Sequence, residues 1–307
     1  MPPPIPVILV LGPTASGKSA LAAALATRLG GEVVSADAFA VYRGMDIGTA
    51  KPDAVARAAV PHHLIDILEP EERCDASRWV GLAEAAIREI HARGRLAIVA
   101  GGTPLYTKLL IEGISAGPPR DERLRSELQQ ADPASLWSEL QRVDPTYAAA
   151  RHPNDLRRIV RAIEVHRLTG RPYSSFHTTD GTRRDDLRVL QLGLQWDKAV
   201  LHERINQRVC GMLDAGLVEE VRRLRPRLSP EARQAVGYKE VLDHLDGRLD
   251  LTACHAAIAL GTRHLAKHQM TWYRRFPDIR WLPGDAPDLA DQAERLARAW
   301  SEVAPVA

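Results

Sequence analysis

Short apolar runs alternate with amphipathic stretches along much of this chain of 307 residues. Four runs have the length and composition of buried β-strands: Ile5–Leu11, Val33–Val34 with its flanks, Leu96–Ala100 and Leu187–Leu194. Apolar residues at helical spacing lie between the runs, and later helical signals cover Arg204–Leu224 and the helix–turn segment Gln234–Lys239. The alternation predicts an α/β fold with a parallel sheet flanked by helices. Ligands of such sheets bind outside the carboxyl ends of the strands, so we expect the functional residues there.

The alternation stops after the glycine- and proline-rich segment at residues 117–119. From about Asp121 to Thr169 the chain is largely polar, has helical periodicity and shows no strand signal. We therefore predict two domains. The sheet domain would comprise residues 1–115 and 186–307, and residues 116–185 would form a mainly helical insertion.

One motif lies between the first strand and the first helical pattern, which covers Ala20–Leu29. It matches the P-loop pattern G-x-x-x-x-G-K-[ST] as Gly12-Pro13-Thr14-Ala15-Ser16-Gly17-Lys18-Ser19. Its glycines let backbone N–H groups turn toward phosphate oxygens, and the helix N-terminus adds a positive dipole end. Lys18 supplies a mobile charge, and the Ser19 hydroxyl is placed to bind Mg²⁺. The motif predicts a bound di- or triphosphate and leaves open which one.

Two further segments follow predicted strands. Asp37 comes just after the second strand, where it would face the same crevice, although turns and helix N-caps are equally ordinary places for an aspartate. The segment Gly101-Gly102-Thr103 follows the third strand, where P-loop ATPases usually have an Asp that orients Mg²⁺. Asp66 would be a weak substitute, because only a short apolar run precedes it. These features argue against a standard ATPase.

Composition limits the kinds of partner. The formal net charge is only +2, from 41 basic and 39 acidic residues, so any nucleic-acid surface must be local. The 3 cysteines form no C-x-x-C pair, and the N-terminus lacks the regions of a signal peptide. No apolar run reaches the roughly 18 residues of a membrane span. We predict a cytoplasmic protein without a membrane anchor, and nothing requires more than a monomer.

Two local basic faces could meet a nucleic acid. Three arginines within residues 157–161 lie three or four positions apart, a spacing that suits phosphate binding but also an ordinary solvated helix face. Arg263, Lys267 and Arg274 share a second face, and three aromatic residues at 272–276 are interleaved with them. Basic residues with aromatics suit unstacked bases, whereas aromatics alone would suit a core-facing helix.

Several of these segments together resemble one family, the bacterial tRNA dimethylallyltransferases, also called tRNA isopentenyltransferases. The similar segments occur in the family's order: the P-loop, Ser35–Asp37, Val41–Pro52, Pro61-His62, Gly101–Thr103, His152–Asp155 with its arginines, Val236–Lys239 and Lys267-x-Gln269-x-Thr271-Trp272. Many families share the P-loop, whereas Gly44–Pro52 and the C-terminal segment are far more specific.

The resemblance implies transfer of a dimethylallyl group from dimethylallyl diphosphate to N6 of the adenine 3′-adjacent to the anticodon in tRNA. The P-loop would then hold a departing diphosphate, which accounts for the missing ATPase aspartate. Lys18, Ser19 and Mg²⁺ would stabilise the charge that develops on it. By the same resemblance, Thr14 and Arg208 would also bind the diphosphate.

The resemblance also implies roles at the acceptor. Asp37 would be the general base that takes the proton of the adenine amine, and Thr103 would lie beside the adenine. Contacts with the anticodon stem-loop are implied for Asp37, Ala38, Phe39, Ala40, His62, Thr103, Arg125, Arg157, Arg158, Arg161, Gln234, Gly237, Tyr238, Lys239, Lys267, His268, Gln269, Thr271, Trp272 and Arg274.

The chain departs from the family pattern in two places. Where the family usually has Ser-x-Gln after the aspartate, this chain has Ala38-Phe39-Ala40, and Lys-Arg-Gln is replaced by Lys-His-Gln at 267–269.

Three alternatives stay open: a small-molecule P-loop kinase, a prenyltransferase acting on free AMP, ADP or ATP, and a tRNA-binding protein without activity. The missing aspartate and the basic C-terminal helix count against the first. That helix also counts against the second, and the intact Asp37 counts against the third.

Overall fold

The structure, a computed structural model, describes residues 3–114, 117–118, 120–176 and 184–302. Its strands are β1 (Ile5–Leu11), β2 (Glu32–Ser35), β3 (His62–His63), β4 (Ala97–Ala100), β5 (Leu187–Gln195) and β6 (Ile279–Pro283). They form one six-stranded sheet in the order β3-β2-β4-β1-β5-β6, and every neighbouring pair is parallel. The carboxyl ends of all strands therefore lie at one edge, which is the edge where ligands of such sheets bind.

The helices account for most of the remaining described chain. They are α1 (Lys18–Leu29), α2 (Ala54–Ala59), α3 (Ala76–Ala92), α4 (Pro104–Glu112), α5 (Glu122–Gln130), α6 (Pro133–Val143), α7 (Pro145–Ala149), α8 (Leu156–Thr169), α9 (Lys198–Asp214), α10 (Leu217–Leu224), α11 (Tyr238–Leu245), α12 (Leu251–Tyr273) and α13 (Leu289–Glu302). Short 3₁₀ turns occupy Tyr173–Phe176 and Ala232–Gln234. Within the described ranges, no helix is both long and apolar enough to cross a lipid bilayer.

The centre of the sheet is buried on both faces. Val7, Leu9 and Leu11 of β1 point into a core shared with α3, α9, α11 and α12, whereas Ile8 and Val10 point into a second core under α1 and α13. All five side chains are fully buried. A strand covered on both faces needs apolar residues at every position, which explains why β1 is a continuous apolar run instead of an alternating one.

The chain divides into two compact units, unit 1 with residues 1–111 and 184–307 and unit 2 with residues 112–183. The first predicted domain boundary, between residues 115 and 116, lies outside the described residues. Unit 2 contains α5–α8, and its own core includes Leu128, Leu136, Leu140, Ile159 and Ile163. Helices α5, α6 and α7 each begin after an aspartate that accepts a backbone N–H, which is a favourable N-cap: Asp121, Asp132 and Asp144.

The four predicted strands are confirmed as β1, β2, β4 and β5. β3 has no counterpart among the predictions because two half-buried histidines carry no strand pattern, and β6 has none because an edge strand needs few apolar residues. The helical character predicted over Arg204–Leu224 is confirmed, with a break between two helices. Gly216 has a φ of 96°, which lies outside the helical region, so α9 ends before it and α10 begins after it.

Candidate active site

The loop of residues 12–19 leaves the carboxyl end of β1 and enters α1 at Lys18. Gly12 and Gly17 have φ values of 154° and 89°. A Cβ on Gly12 would lie 2.9 Å from the Ser16 Oγ, so a side chain there would crowd the loop. The first N–H groups of α1 have no partner within the helix and lie at the end of the loop. This arrangement is typical of an anion-binding turn at a helix N-terminus.

Two cations lie near this loop. The Lys18 Nζ donates to the Pro13 carbonyl at 3.2 Å. Burial and the neighbouring Arg208 guanidinium on α9 lower the pKa of Lys18 to about 8, while Asp37 acts in the opposite direction. Burial also lowers the pKa of Arg208, and Asp37 again opposes the shift. The structure thus brings both Lys18 and Arg208 close enough to Asp37 for its charge to favour their protonated forms.

Asp37 lies two residues beyond the end of β2 and is half-buried. Its Oδ1 accepts the backbone N–H groups of Phe39 at 2.9 Å and Ala40 at 3.2 Å, so the carboxylate is fixed in an Asx turn. Among the described residues, Oδ2 has no hydrogen-bond partner. One oxygen therefore positions the carboxylate, and the other can accept a proton. The general-base role stays a prediction.

The end of β4 packs against the chain that follows β2. A Cβ on Gly101 would lie 2.1 Å from the Ala36 carbonyl oxygen, so only glycine permits this approach. The Thr103 N–H donates to the same carbonyl at 3.2 Å, and the Thr103 Oγ1 accepts the N–H of Ala38 at 3.1 Å. Thr103 therefore lies beside the Asp37 turn, and its hydroxyl proton is available to an acceptor on a ligand.

Two side chains outside the predicted site hold the loop from β5 and α9. The Trp196 Nε1 donates to the Ser16 carbonyl at 3.0 Å, and the Arg204 Nε donates to the Ala15 carbonyl at 2.9 Å. The Arg204 guanidinium also stacks on the Trp196 ring, 4.2 Å from its centroid. In the sequence, Arg204 was marked only by its spacing of four from Arg208, and no motif indicated that Trp196 contacts the loop.

Two residues of the predicted RNA-contacting set are buried with side-chain polar groups that already have partners. Gln269 on α12 is 3% exposed. Its Oε1 accepts the Thr14 N–H at 2.8 Å, and its Nε2 donates to the Gly102 carbonyl at 2.6 Å. Tyr238 is fully buried, and its hydroxyl donates to the Glu220 carboxylate. These polar groups already have partners inside unit 1, and the RNA contacts implied for both residues stay predictions.

Glu220 on α10 holds the segment that resembles the family most specifically. Its carboxylate is 4% exposed and accepts three successive backbone N–H groups: Asp46 at 2.9 Å, Ile47 at 2.8 Å and Gly48 at 3.1 Å. A Cβ on Gly48 would lie 2.3 Å from a ring carbon of Tyr238. The glycine therefore lets the segment pack flat on the Tyr238 ring.

His62 and Asp66 have partners in their own neighbourhood. The Nδ1 of His62, on edge strand β3, is 2.7 Å from the Val60 carbonyl, and burial lowers the pKa of this histidine. Asp66 accepts hydrogen bonds from Lys51 and Arg57, both at 2.6 Å. The carboxylate considered as an ATPase substitute is therefore neutralised by two cations, which removes it as a candidate ligand for Mg²⁺.

The other residues predicted to contact RNA vary in exposure. On α12 and just beyond it, Lys267, His268, Thr271 and Arg274 are exposed, and the half-buried Trp272 donates from Nε1 to His268 Nε2 at 3.2 Å. Beside α11, the side chains of Gln234 and Lys239 are exposed, whereas Gly237 is buried. In the segment after Asp37, Ala38 and Phe39 are half-buried and Ala40 is buried. The RNA contacts stay predictions.

In unit 2 the arginines are partly engaged with acidic residues. Arg125 and Arg161 contact the fully buried Glu164 carboxylate at 3.2 Å and 3.0 Å. Arg158 is exposed and pairs with an aspartate at the start of its helix, and Arg157 is exposed. Two of the four predicted RNA-binding arginines thus also compensate a buried charge within unit 2.

The predicted protein ligand of Mg²⁺ is the Ser19 hydroxyl. Within the described ranges, no group of three or more His, Cys, Asp or Glu side chains could hold a metal ion. Ser19 is exposed at the start of α1, and the Ser16 Oγ is buried without a hydrogen-bond partner inside the loop. Such a site fits an ion that takes most of its oxygen ligands from water and a bound diphosphate, as Mg²⁺ commonly does.

Comparisons with known proteins agree with this geometry. A family model described as IPP transferase matches residues 40–276, and one described as isopentenyl transferase matches residues 5–57. The tRNA dimethylallyltransferase of Anaeromyxobacter dehalogenans is 46% identical over 298 residues, which cover 94% of this chain and 99% of that protein. The enzyme of the same name from Methylibium petroleiphilum is 47% identical over 304 residues, which cover 95% and 93%.

Solved structures share the fold. The crystal structure of the full-length tRNA isopentenylpyrophosphate transferase from Bacillus halodurans is 38% identical, with a TM-score of 0.73 over 97% of both chains. A eukaryotic dimethylallyltransferase acting on tRNA is 30% identical, with a TM-score of 0.82 over 97% of this chain and 77% of that one. The parallel α/β architecture is thus confirmed. The family models, the identities and the shared fold together place the chain in the tRNA dimethylallyltransferase family.

Proposed function

We propose that this enzyme transfers a dimethylallyl group from dimethylallyl diphosphate to N6 of the adenine 3′-adjacent to the anticodon in tRNA, and releases diphosphate. The observation that carries the proposal is the cluster of Lys18, Arg208 and Asp37 beside the loop of residues 12–19. Two cations suit a diphosphate, and a carboxylate with a free oxygen suits an acceptor that must lose a proton. The name of the related tRNA dimethylallyltransferases supports tRNA as the acceptor and a dimethylallyl group as the group transferred.

The diphosphate end would act by stabilising charge. As the bond between the allylic carbon and the diphosphate oxygen breaks, negative charge develops on the leaving group. Lys18, Arg208 and the N–H groups at the start of α1 would stabilise that charge. Mg²⁺, held by the Ser19 hydroxyl and the diphosphate oxygens, would supply further positive charge.

The acceptor end would act by removing a proton. The adenine amine is a weak nucleophile because its lone pair is delocalised into the ring, and it loses a proton as the C–N bond forms. Asp37 would take that proton on Oδ2, while the hydrogen bonds from Phe39 and Ala40 hold Oδ1 in place. The neighbouring Thr103 hydroxyl would donate to the adenine or the diphosphate.

The alternative of a small-molecule kinase is not favoured. β4 leads into glycines where P-loop ATPases have an aspartate, and Asp66 is occupied by Lys51 and Arg57.

With tRNA as the acceptor, we propose that the enzyme acts in the cytoplasm. We also propose that one chain suffices, since the charged cluster is built entirely from residues of unit 1.

One assay tests the function. The purified enzyme is incubated with Mg²⁺, labelled dimethylallyl diphosphate and an unmodified anticodon stem-loop that has adenine next to the anticodon. We expect label in this RNA and none in a matched RNA with guanine at that position, which lacks the N6 amine. Label in free AMP but not in RNA would contradict the tRNA acceptor. ATP turnover without transfer of label would support the kinase.

A further inference from the structure

Gln269 lies where three elements of unit 1 meet. Its side chain leaves α12 and bonds the backbone at Thr14, in the loop, and at Gly102, just after β4. One helical turn later, the buried Tyr273 hydroxyl donates to the Gly101 carbonyl at 3.2 Å. The last turn of α12 is therefore attached by hydrogen bonds to both backbone segments that border the proposed diphosphate site.

This attachment leaves little room for independent movement. Even a Cβ on Gly102 would lie 2.5 Å from the Gln269 Nε2, so the side chain is packed against the backbone as well as bonded to it. If α12 moved away, the Thr14 N–H and the Gly102 carbonyl would each lose a buried partner. Because leaving a buried polar group without a partner destabilises the folded state, the position of α12 and the conformation of the loop are linked.

The same turn of α12 has a second, exposed side. Lys267, His268 and Thr271 flank Gln269 in sequence, and all three are exposed. On a helix, residues two positions away project about 200° around the axis, so Lys267 and Thr271 point away from the core-facing Gln269. An RNA bound to the exposed side would restrain the helical turn from which Gln269 reaches the loop.

We propose that Gln269 is a positioning residue that couples RNA binding on α12 to diphosphate binding in the loop. The inference rests on the proposed function, because it requires both an RNA and a diphosphate ligand. The hydrogen bond between Gln269 and the Thr14 N–H holds one loop amide in a fixed place. RNA stabilises that arrangement by restraining α12. Linkage makes the effect reciprocal, so diphosphate must strengthen RNA binding by the same factor.

The test measures the coupling directly. Affinity for inorganic diphosphate with Mg²⁺ is determined by calorimetry without RNA and with a saturating anticodon stem-loop. In the unaltered enzyme we expect RNA to tighten diphosphate binding by about 5-fold or more, the lower end of usual coupling between sites. Gln269→Met keeps the length of the side chain but removes both hydrogen bonds, and it should bring the factor to roughly one.

Gln191 offers a matched control within the same unit. It is 1% exposed on β5, and its Nε2 donates to the Pro277 carbonyl at 2.9 Å, but it does not bond the loop. Gln191→Met should therefore lose stability while its coupling factor stays at that of the unaltered enzyme. Equal coupling in the Gln269→Met and unaltered enzymes would overturn the proposal, as would loss of coupling in both variants.

A second measurement needs no variant. Hydrogen exchange of the peptide that contains Thr14 is followed in the unaltered enzyme with RNA alone, and we expect RNA to slow it. Unchanged exchange with RNA bound would overturn the coupling. Independent binding of the two ligands, with label transfer to RNA intact, would refute the inference and leave the proposed function standing. Absence of transfer to RNA would instead refute the proposed function.

Discussion

The loop of residues 12–19 and the exposed turn of α12 are joined through Gln269, yet they are built in opposite ways. Side chains of Trp196, Arg204 and Gln269 bind the backbone of the loop, so contacts with the rest of unit 1 determine its conformation. The α12 surface instead presents the long, exposed Lys267 side chain and its neighbours. The first design suits charge stabilisation in a reaction, and the second suits attraction of a large anion.

The largest expected effect is at Asp37. Asp37→Asn keeps the shape and the acceptor oxygen of the turn but removes the base, so the transfer rate should fall about 10²- to 10⁴-fold. Single-turnover transfer of label to RNA, with both substrates saturating, measures the rate of the chemical step. Transfer at the original rate would remove Asp37 as the base. It would also show that the reaction does not occur beside the loop of residues 12–19.

The next effect concerns the rigidity of the site. Gly101→Ala would place a Cβ 2.1 Å from the Ala36 carbonyl, and overpacking of this kind typically costs about 1–3 kcal/mol in the free energy of unfolding. Gly81→Ala is the matched control, because Gly81 lies within α3 and a Cβ there meets no atom within 4 Å. The control should gain about 0.5–1 kcal/mol from helix propensity. Equal urea midpoints for both variants would contradict the packing at Gly101.

The pH dependence of diphosphate binding tests Lys18. Because its pKa is about 8 in the free enzyme and a bound diphosphate favours the charged form, binding above this pH requires uptake of a proton. We expect affinity for inorganic diphosphate to fall by up to about tenfold per pH unit above pH 8, and to be nearly constant below it. Calorimetry between pH 6.5 and 9.5, roughly one to two units on either side, measures both affinity and proton uptake.

Lys18→Arg provides the control for this titration, since an arginine stays charged throughout the range. Its affinity should be lower than that of the unaltered enzyme but should not show the decline above pH 8. A decline of the same size in this variant would assign the titration to another group.

The smallest effect is expected on the α12 surface. Lys267→Ala should weaken RNA binding only a few-fold and reduce the slope of log affinity against log salt by about 1, because one phosphate contact is lost. Diphosphate affinity without RNA should not change. Arg295→Ala removes an exposed cation from α13, on the opposite face of the sheet, and should alter neither quantity. Equal effects of the two variants would contradict a specific RNA face on α12.

The parts of the site that could be predicted are those encoded locally. The loop was evident because its glycines, Lys18 and the flanking strand and helix are consecutive in sequence. The position of Asp37 followed from the strand before it, since the carboxyl ends of parallel strands meet at one edge. The resemblance to a family added Arg208, which no local pattern would have joined to Lys18.

The supports of the loop could not be predicted because they join distant parts of the chain. Trp196 and Gln269 contact the loop across 180 and 255 residues of sequence. For Gln269 the resemblance to the family implied an RNA contact, as it did for Lys267 and His268, which are exposed. Which face of α12 turns inward depends on packing against β4 and the loop, and the helical periodicity alone did not distinguish a buried amide from an exposed one.

Glu220 provides an anion from within the protein to a second turn of backbone N–H groups. Three consecutive N–H groups converge on its carboxylate, much as N–H groups of an anion-binding loop converge on phosphate. Because this anion is part of the chain, the segment from Asp46 to Gly48 needs no ligand to keep its shape. The turn at residues 46–48 therefore keeps its anion at all times, whereas the loop of residues 12–19 is the anion-binding turn whose occupancy can follow the supply of diphosphate.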